Sequence, residues 1–159
     1  MPARRTRPMT PADLAVAPPL AGALVRQHHG FDAERFFLEP GVEDGYRWFF
    51  TRQLGKAGVV LLVAELDDQV VGYLYGSLED RDWAKLLDAH GAIHDLYVDP
   101  QARRQGVARA LMVAGVFALK GQGASQVVLS TATQNHAAQA LFRSMGFRDT
   151  MIELTLATP

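Results

Sequence analysis

The sequence predicts a mixed α/β (α+β) fold, with helices packed on a largely antiparallel sheet that carries one parallel strand pair. Val59 to Glu65 and Gln69 to Leu78 are apolar runs of strand length separated by Asp67-Asp68, the pattern of an antiparallel hairpin. Ile93 to Val98, a long helix-forming stretch and Gln126 to Ser130 read as strand, helix and strand. A right-handed crossover makes those two strands parallel neighbours. With 159 residues and 48% hydrophobic content, the chain fits one domain over residues 1–159, with 1–5 as a flexible tail.

The elements follow in order. Thr10-Pro11-Ala12-Asp13 has an N-cap threonine, a proline at the first helical position and an acid three residues after the cap, so a helix begins at Pro11. Pro18-Pro19 predicts a kink or break, with a second piece from Leu20 to His28 that Gly30 ends. Phe31 to Pro40 is too apolar for a plain solvated loop, and Val42 to Leu54 predicts a helix with Tyr46, Phe49 and Phe50 facing inward. In the hairpin, Gly72 and Gly76 mark bulges or close approach. Glu79 to Gly91 is polar around Trp83, Leu86 and Leu87 and reads as a long loop or a short helix. A helix over Ala102 to Lys120 is apolar on most sides, and Gly121 and Gly123 stop it before a short buried strand. Asn135 to Phe147 is a final helix, with asparagine as its N-cap and Gly146 as its stop.

Bulk properties narrow the function classes. Formal net charge is −1 with the signs interspersed, so no broad basic surface for nucleic acid is present. The chain has no cysteine, which excludes disulfides, a cysteine nucleophile and thiolate metal sites. The basic N-terminus precedes no apolar leader segment and no run is long enough to span a bilayer, so a cytoplasmic protein without a membrane partner is expected. His28, His29, His90 and His136 lack metal-ligand spacing and read as surface or loop residues, so no metal is expected. Ser77, Ser125, Ser130 and Ser144 lack the Gly-x-Ser-x-Gly context of a hydrolase.

The junction from Ile93 to Leu111 carries the clearest chemistry. Asp99-Pro100 ends the strand, because proline has no N–H to give a neighbour. Arg103, Arg104, Gln105, Gly106, Val107 and Ala108 then span the first turn of a helix, where amides lack intrahelical acceptors and favour an anion. Gly106 and Ala108 let phosphates approach the backbone, and Arg103 and Arg104 can add charge-assisted hydrogen bonds. The single glycine does not match the Gly-x-Gly-x-x-Gly of a dinucleotide site, and no Gly-Lys-Ser/Thr for a nucleoside triphosphate is present.

Arg103-x-x-Gly106-x-Ala108, after a strand ending in Leu96-Tyr97-Val98, resembles the acyl-CoA pyrophosphate loop of the GCN5-related N-acetyltransferase (GNAT) family. Asn135, Ala138, Phe142 and Gly146-Phe147 resemble the same family's closing helix, in matching order and spacing. The resemblance implies that the two parallel strands splay, that about four helices flank the sheet, and that acetyl-CoA is the cosubstrate. It places the pantetheine arm against Leu96, Tyr97 and Val98 and the pyrophosphate on Arg103 to Ala108 with Arg109. Asn135, Ala138 and Phe142 complete the cofactor-binding set. The implied reaction is direct acetyl transfer to the primary amine of a small molecule or peptide, with a backbone N–H of the strand stabilising the oxyanion. The resemblance also allows a homodimer, with no interface marked in the chain.

Two positions depart from the family pattern. An amine is mostly protonated near neutrality, so a base must take its proton. Where many relatives carry glutamate this chain has His94, followed by Asp95. Imidazole titrates close to working pH, at about 6.5, and so suits a base. Strand alternation puts the two residues on opposite faces, so only one of them is expected in the cleft. Asp95 is taken for amine binding or water-mediated deprotonation, and His94 stands level with it as base. Phe142 fills the position of a frequent tyrosine acid and cannot donate, which leaves water, Tyr73, Tyr75 or Tyr97. These departures keep a non-catalytic CoA-binding regulatory or interaction domain as the alternative. Substrate identity is expected to lie in Gly30 to Pro40 and Glu79 to Gly91.

Overall fold

A computed structural model describes residues 3–159. Five strands form one open sheet in the order β1-β2-β3-β4-β5: β1 (Arg4–Pro8), β2 (Val59–Leu66), β3 (Gln69–Glu79), β4 (His90–Val98) and β5 (Val127–Leu129). Neighbours are antiparallel except β4 and β5, which run parallel as the crossover requires. The helices α1 (Ala17–Phe31) and α2 (Val42–Gln53) cover one face, and α3 (Val107–Gly121) and α4 (His136–Ser144) cover the other. Alternate strand residues feed the two resulting cores. Leu61, Val63, Tyr73 and Tyr97 pack with Ala17, Ala21 and Phe50, while Leu62, Leu74, Ile93 and Val98 pack with Leu111, Met112 and Phe142. Among the described residues, no helix is long and apolar enough to cross a membrane.

Several boundaries differ from the sequence expectation for local reasons. The expected tail is not one in its described part: Arg4 and Arg5 belong to β1, and Ala3 exchanges two hydrogen bonds with Asp67. Residues 1 and 2 lie outside the described residues. Pro11 to Ala15 make a single 3-10 turn. Pro18 and Pro19 then open α1 instead of breaking it, because a missing N–H costs nothing in a first turn. The helix runs through Gly30 to Phe31. The following segment is an irregular loop after all, with Phe37 72% exposed. Glu79 to Gly91 resolves into a turn closed by a bridge between Asp82 and Leu87, and β4 starts three residues before Ile93, at His90, which is buried and not a loop residue. The helix expected from Ala102 starts at Val107, after a short turn at Pro100–Ala102. It is also less enclosed than its composition suggests, since Val113 and Phe117 are exposed. Strand β5 is half-buried, and residues 148–159 form no regular element.

The N-terminal strand is tied down by charge. Both oxygens of Asp13 accept from the Arg7 guanidinium, at 2.7 and 2.9 Å, while Arg7 Nε donates to Glu65 at 2.8 Å. Asp13 also accepts from the Thr10 N–H, which realises the expected cap. Bonds from Arg7 hold the Asp13 carboxyl below its usual range. A lowered folded-state value stabilises the protein above the unfolded carboxylate value of about 3.9 and is lost as pH falls through the folded one. Asp13→Asn should therefore cost about 1.5–3 kcal/mol near neutrality. It should also flatten the loss of stability below about pH 4, both read from denaturant midpoints across pH.

Candidate active site

The parallel strands separate in the middle of β4. Pairing with β5 stops at Ile93 with Leu129, after which β4 continues to Val98 with its β5 side free. Beyond β5 the chain is drawn away toward α4, where Gln139 Nε2 donates to the carbonyls of Ala132 and Thr133. Leu96, Tyr97 and Val98 pair with Leu74, Tyr73 and Gly72 of β3 on one side, so their other backbone edge borders the opening. Gly72 permits that pairing: a Cβ there would stand 2.8 Å from the Tyr97 carbonyl oxygen.

The turn after β4 presents amides. Arg104 (φ 60) and Gly106 (φ 75) are both left-handed, which curls the backbone into a concave nest ahead of α3. Among the described residues, the amides of Gln105, Gly106, Val107 and Ala108 reach no backbone acceptor. Val107 offers only its amide, because its side chain is in the core. Arg103 is not simply a free cation here: its Nε donates to the Val98 carbonyl at 2.9 Å and its guanidinium lies over the Tyr97 ring, bracing the strand end. Arg109 donates to Ser144 at 2.6 Å and ties α3 to α4. Arg4, expected in a flexible tail, joins the loop: its Nη1 donates to the Gln105 carbonyl at 2.9 Å. The clue to it was the strand character of Arg4 to Pro8, hidden by the charge of the segment.

On the closing helix, Asn135 Oδ1 caps α4 by accepting from the Ala138 N–H at 3.2 Å. Phe142 is buried beside Phe147, a core residue. Ala138 packs against the same core.

His94 and Asp95 do not obey simple alternation. Opposite Tyr75 and Gly76 the register jumps from Asp95 to Ile93, so His94 is the extra residue of a β-bulge, at the point where β5 departs. The bulge brings both side chains to the α1 and α2 face, against the alternate residues Tyr73, Tyr75 and Ser77 of β3. Asp95 accepts from the Tyr73 hydroxyl at 2.9 Å. Burial pushes the Asp95 carboxyl up, with the Tyr73 hydrogen bond opposing, and burial likewise pushes up the phenols of Tyr46 and Tyr73. His94 is exposed, stacks on Tyr75 with ring centroids 4.9 Å apart, and sets Nε2 2.7 Å from Ser77 Oγ and 3.3 Å from Glu79 Oε1. Ser77 and Glu79 went unrecognised in the sequence because their two-residue spacing on β3 acquires meaning only opposite the bulge. Among the described residues, no group of three or more His, Asp or Glu is arranged to hold a metal.

A splayed parallel pair, a glycine nest at the following helix and a capped closing helix define an acyl-CoA-type transferase fold, and a family model agrees. The acetyltransferase (GNAT) family matches residues 24–147, and the chain belongs to that family. It is 38% identical over 97 residues to N-acetyltransferase 8 of Homo sapiens, covering 61% of this chain and 42% of that protein. It is 34% identical over 111 residues to mycothiol acetyltransferase of Kocuria rhizophila, covering 65% and 32%. The chain thus spans less than half the length of these curated relatives. Its fold also matches an aminoglycoside N-acetyltransferase solved in complex with CoA, with a TM-score of 0.77 at 17% identity, covering 99% of this chain and 96% of that one.

Proposed function

We propose that the protein is an acetyl-CoA-dependent N-acetyltransferase that acetylates the primary amine of a small molecule or peptide in a ternary complex. The observation that carries this reading is the junction itself: a free β4 edge from His94 to Val98 leads into a nest of unpaired amides at the start of α3. A thioester carrying a pyrophosphate fits those features, and the relatives named acetyltransferases point to the same cosubstrate. Gln105, Gly106, Val107 and Ala108 would hold the pyrophosphate through their amides, with Arg104 adding charge. Arg103 and Arg4 would hold the loop in shape. The free edge of Leu96 to Val98 would take the pantetheine amides, and Asn135, Ala138 and Phe142 would close the site. Acetyl-CoA supplies the activated acetyl group.

His94 takes the role of base. It is exposed at the splay, whereas Asp95 is engaged by Tyr73 beneath it. Asp95 shapes the floor of the acceptor site. Tyr73 and Tyr97 are buried, and no side-chain acid is assigned, since a thiol of pKa about 8.5 leaves readily as thiolate. A cytoplasmic setting suits the cysteine-free composition. Titration of acetyl-CoA and desulfo-CoA into the protein tests the reading. Micromolar binding of both, weakened by salt, is expected, while no binding of either overturns it.

A further inference from the structure

We infer that Ser77 and Glu79 form a fixed hydrogen-bond relay behind His94 that places the ring proton on Nε2 and leaves Nδ1 as the nitrogen that accepts the acceptor's proton. The inference rests on the acetyltransferase reading above and adds which atom reacts and which residues prepare it.

The polarity follows from counting protons. Ser77 Oγ lies 2.6 Å from Glu79 Oε1, and an ionised carboxylate can only accept, so the single hydroxyl proton of Ser77 points at Glu79. The bond from Ser77 holds the Glu79 carboxyl below its usual range, with the nearby His94 adding to the effect. Ser77 Oγ therefore turns a lone pair toward His94 Nε2, 2.7 Å away, and that nitrogen has to be the N–H partner. The 3.3 Å contact from Nε2 to Glu79 Oε1 demands the same assignment. In neutral imidazole the proton on Nε2 makes Nδ1 the basic atom. Among the described residues, Nδ1 has no hydrogen-bond partner, and the stacked Tyr75 ring fixes the plane in which it points.

Ser77 is itself buried, so water does not compete for the middle of the relay. When the acceptor's ammonium gives its proton to Nδ1, the ring becomes an imidazolium. The freed nitrogen lone pair then attacks the thioester carbonyl carbon as the C–S bond breaks. The electron pair leaves with sulfur, and the second proton of the attacking nitrogen passes to the thiolate or to solvent. Glu79 carries the countercharge throughout. The charged and titratable groups around the ring are Glu79 and Tyr75 of β3 and Asp95 beside it on β4, with His90 near Glu79. Ser77 and Glu79 are thus positioning residues.

Nitrogen NMR of histidine-labelled protein reads the tautomer directly, and rate profiles read its use. The wild-type protein should show His94 protonated at Nε2 in its neutral form. Ser77→Ala and Glu79→Gln should lower kcat roughly tenfold, about the effect of one charge-supported hydrogen bond, without changing KM for acetyl-CoA. Glu79→Gln should also move the neutral His94 ring toward the Nδ1-protonated tautomer, because the Ser77 hydroxyl, no longer held by a carboxylate, is free to donate to Nε2. Ser77→Thr, which keeps the hydroxyl, should restore the rate. A neutral His94 protonated at Nδ1 in the wild-type protein, or rates unchanged in both variants, overturns the relay. A rate loss in Glu79→Gln with an unmoved tautomer also overturns it, as merely structural. If no amine is acetylated by the wild-type protein, the acetyltransferase reading falls, while the spectrum still decides the tautomer.

Discussion

Gly106→Val should raise KM for acetyl-CoA by at least about tenfold while leaving the global fold intact. Gly106 has φ 75, in the left-handed region, where a side chain costs about 1–2 kcal/mol and a β-branched one more. A Cβ at this position would also meet the Arg4 Nη1 atom. That contact alone is cheap, since it is the far end of a flexible side chain. The backbone term is not, and the loop escapes it only by rotating the amides of Gln105 to Ala108 out of their shared concavity. Each 1.4 kcal/mol lost from binding is tenfold in affinity. Calorimetric titration with acetyl-CoA and thermal unfolding measure the two halves. Unaltered affinity would mean that the phosphates bind elsewhere.

His94→Ala should lower kcat by about 10²–10⁴-fold, the usual range for a positioned base. It should abolish the acid limb of the pH–rate profile and leave acetyl-CoA affinity unchanged, because the nest lies at the other end of the β4 edge. Asp95→Asn separates the two neighbours. It weakens a half-buried hydrogen bond to Tyr73, so a stability loss of about 1–3 kcal/mol is expected with kcat within a few-fold of wild type. Profiles of both variants with one good amine check the assignment. A wild-type profile in His94→Ala, or a collapse of kcat in a folded Asp95→Asn, would exchange their roles.

Much of this was legible in the chain. The hairpin announced itself through two apolar runs flanking Asp67-Asp68, and the crossover through strand, helix and strand, because in both cases local pattern and tertiary burial agree. The nest was readable from Gly106 and its neighbours, where backbone conformation depends on residues close in sequence. What stayed hidden depends on pairing. Nothing local tells that β4 carries one residue more than β3 at His94, and that extra residue is what brings His94 and Asp95 to the same face. Arg4 was masked similarly, since a charged N-terminal segment looks solvated until β2 offers it an edge. Pro18-Pro19 looked like a break because nothing local shows that the preceding 3-10 turn stops at Ala15, which leaves both prolines in the first turn of a new helix.

Acetyl transfer to an amine is the activity proposed for this fold. Its most direct measurement follows free thiol and N-acetylated product together while the protein is incubated with acetyl-CoA and a panel of small-molecule and peptide amines. Amine-dependent thiol release with one N-acetyl product per thiol is expected for at least one amine, suppressed in His94→Ala. Tight acetyl-CoA binding with no thiol released on any amine would contradict it and make the protein a CoA-binding module.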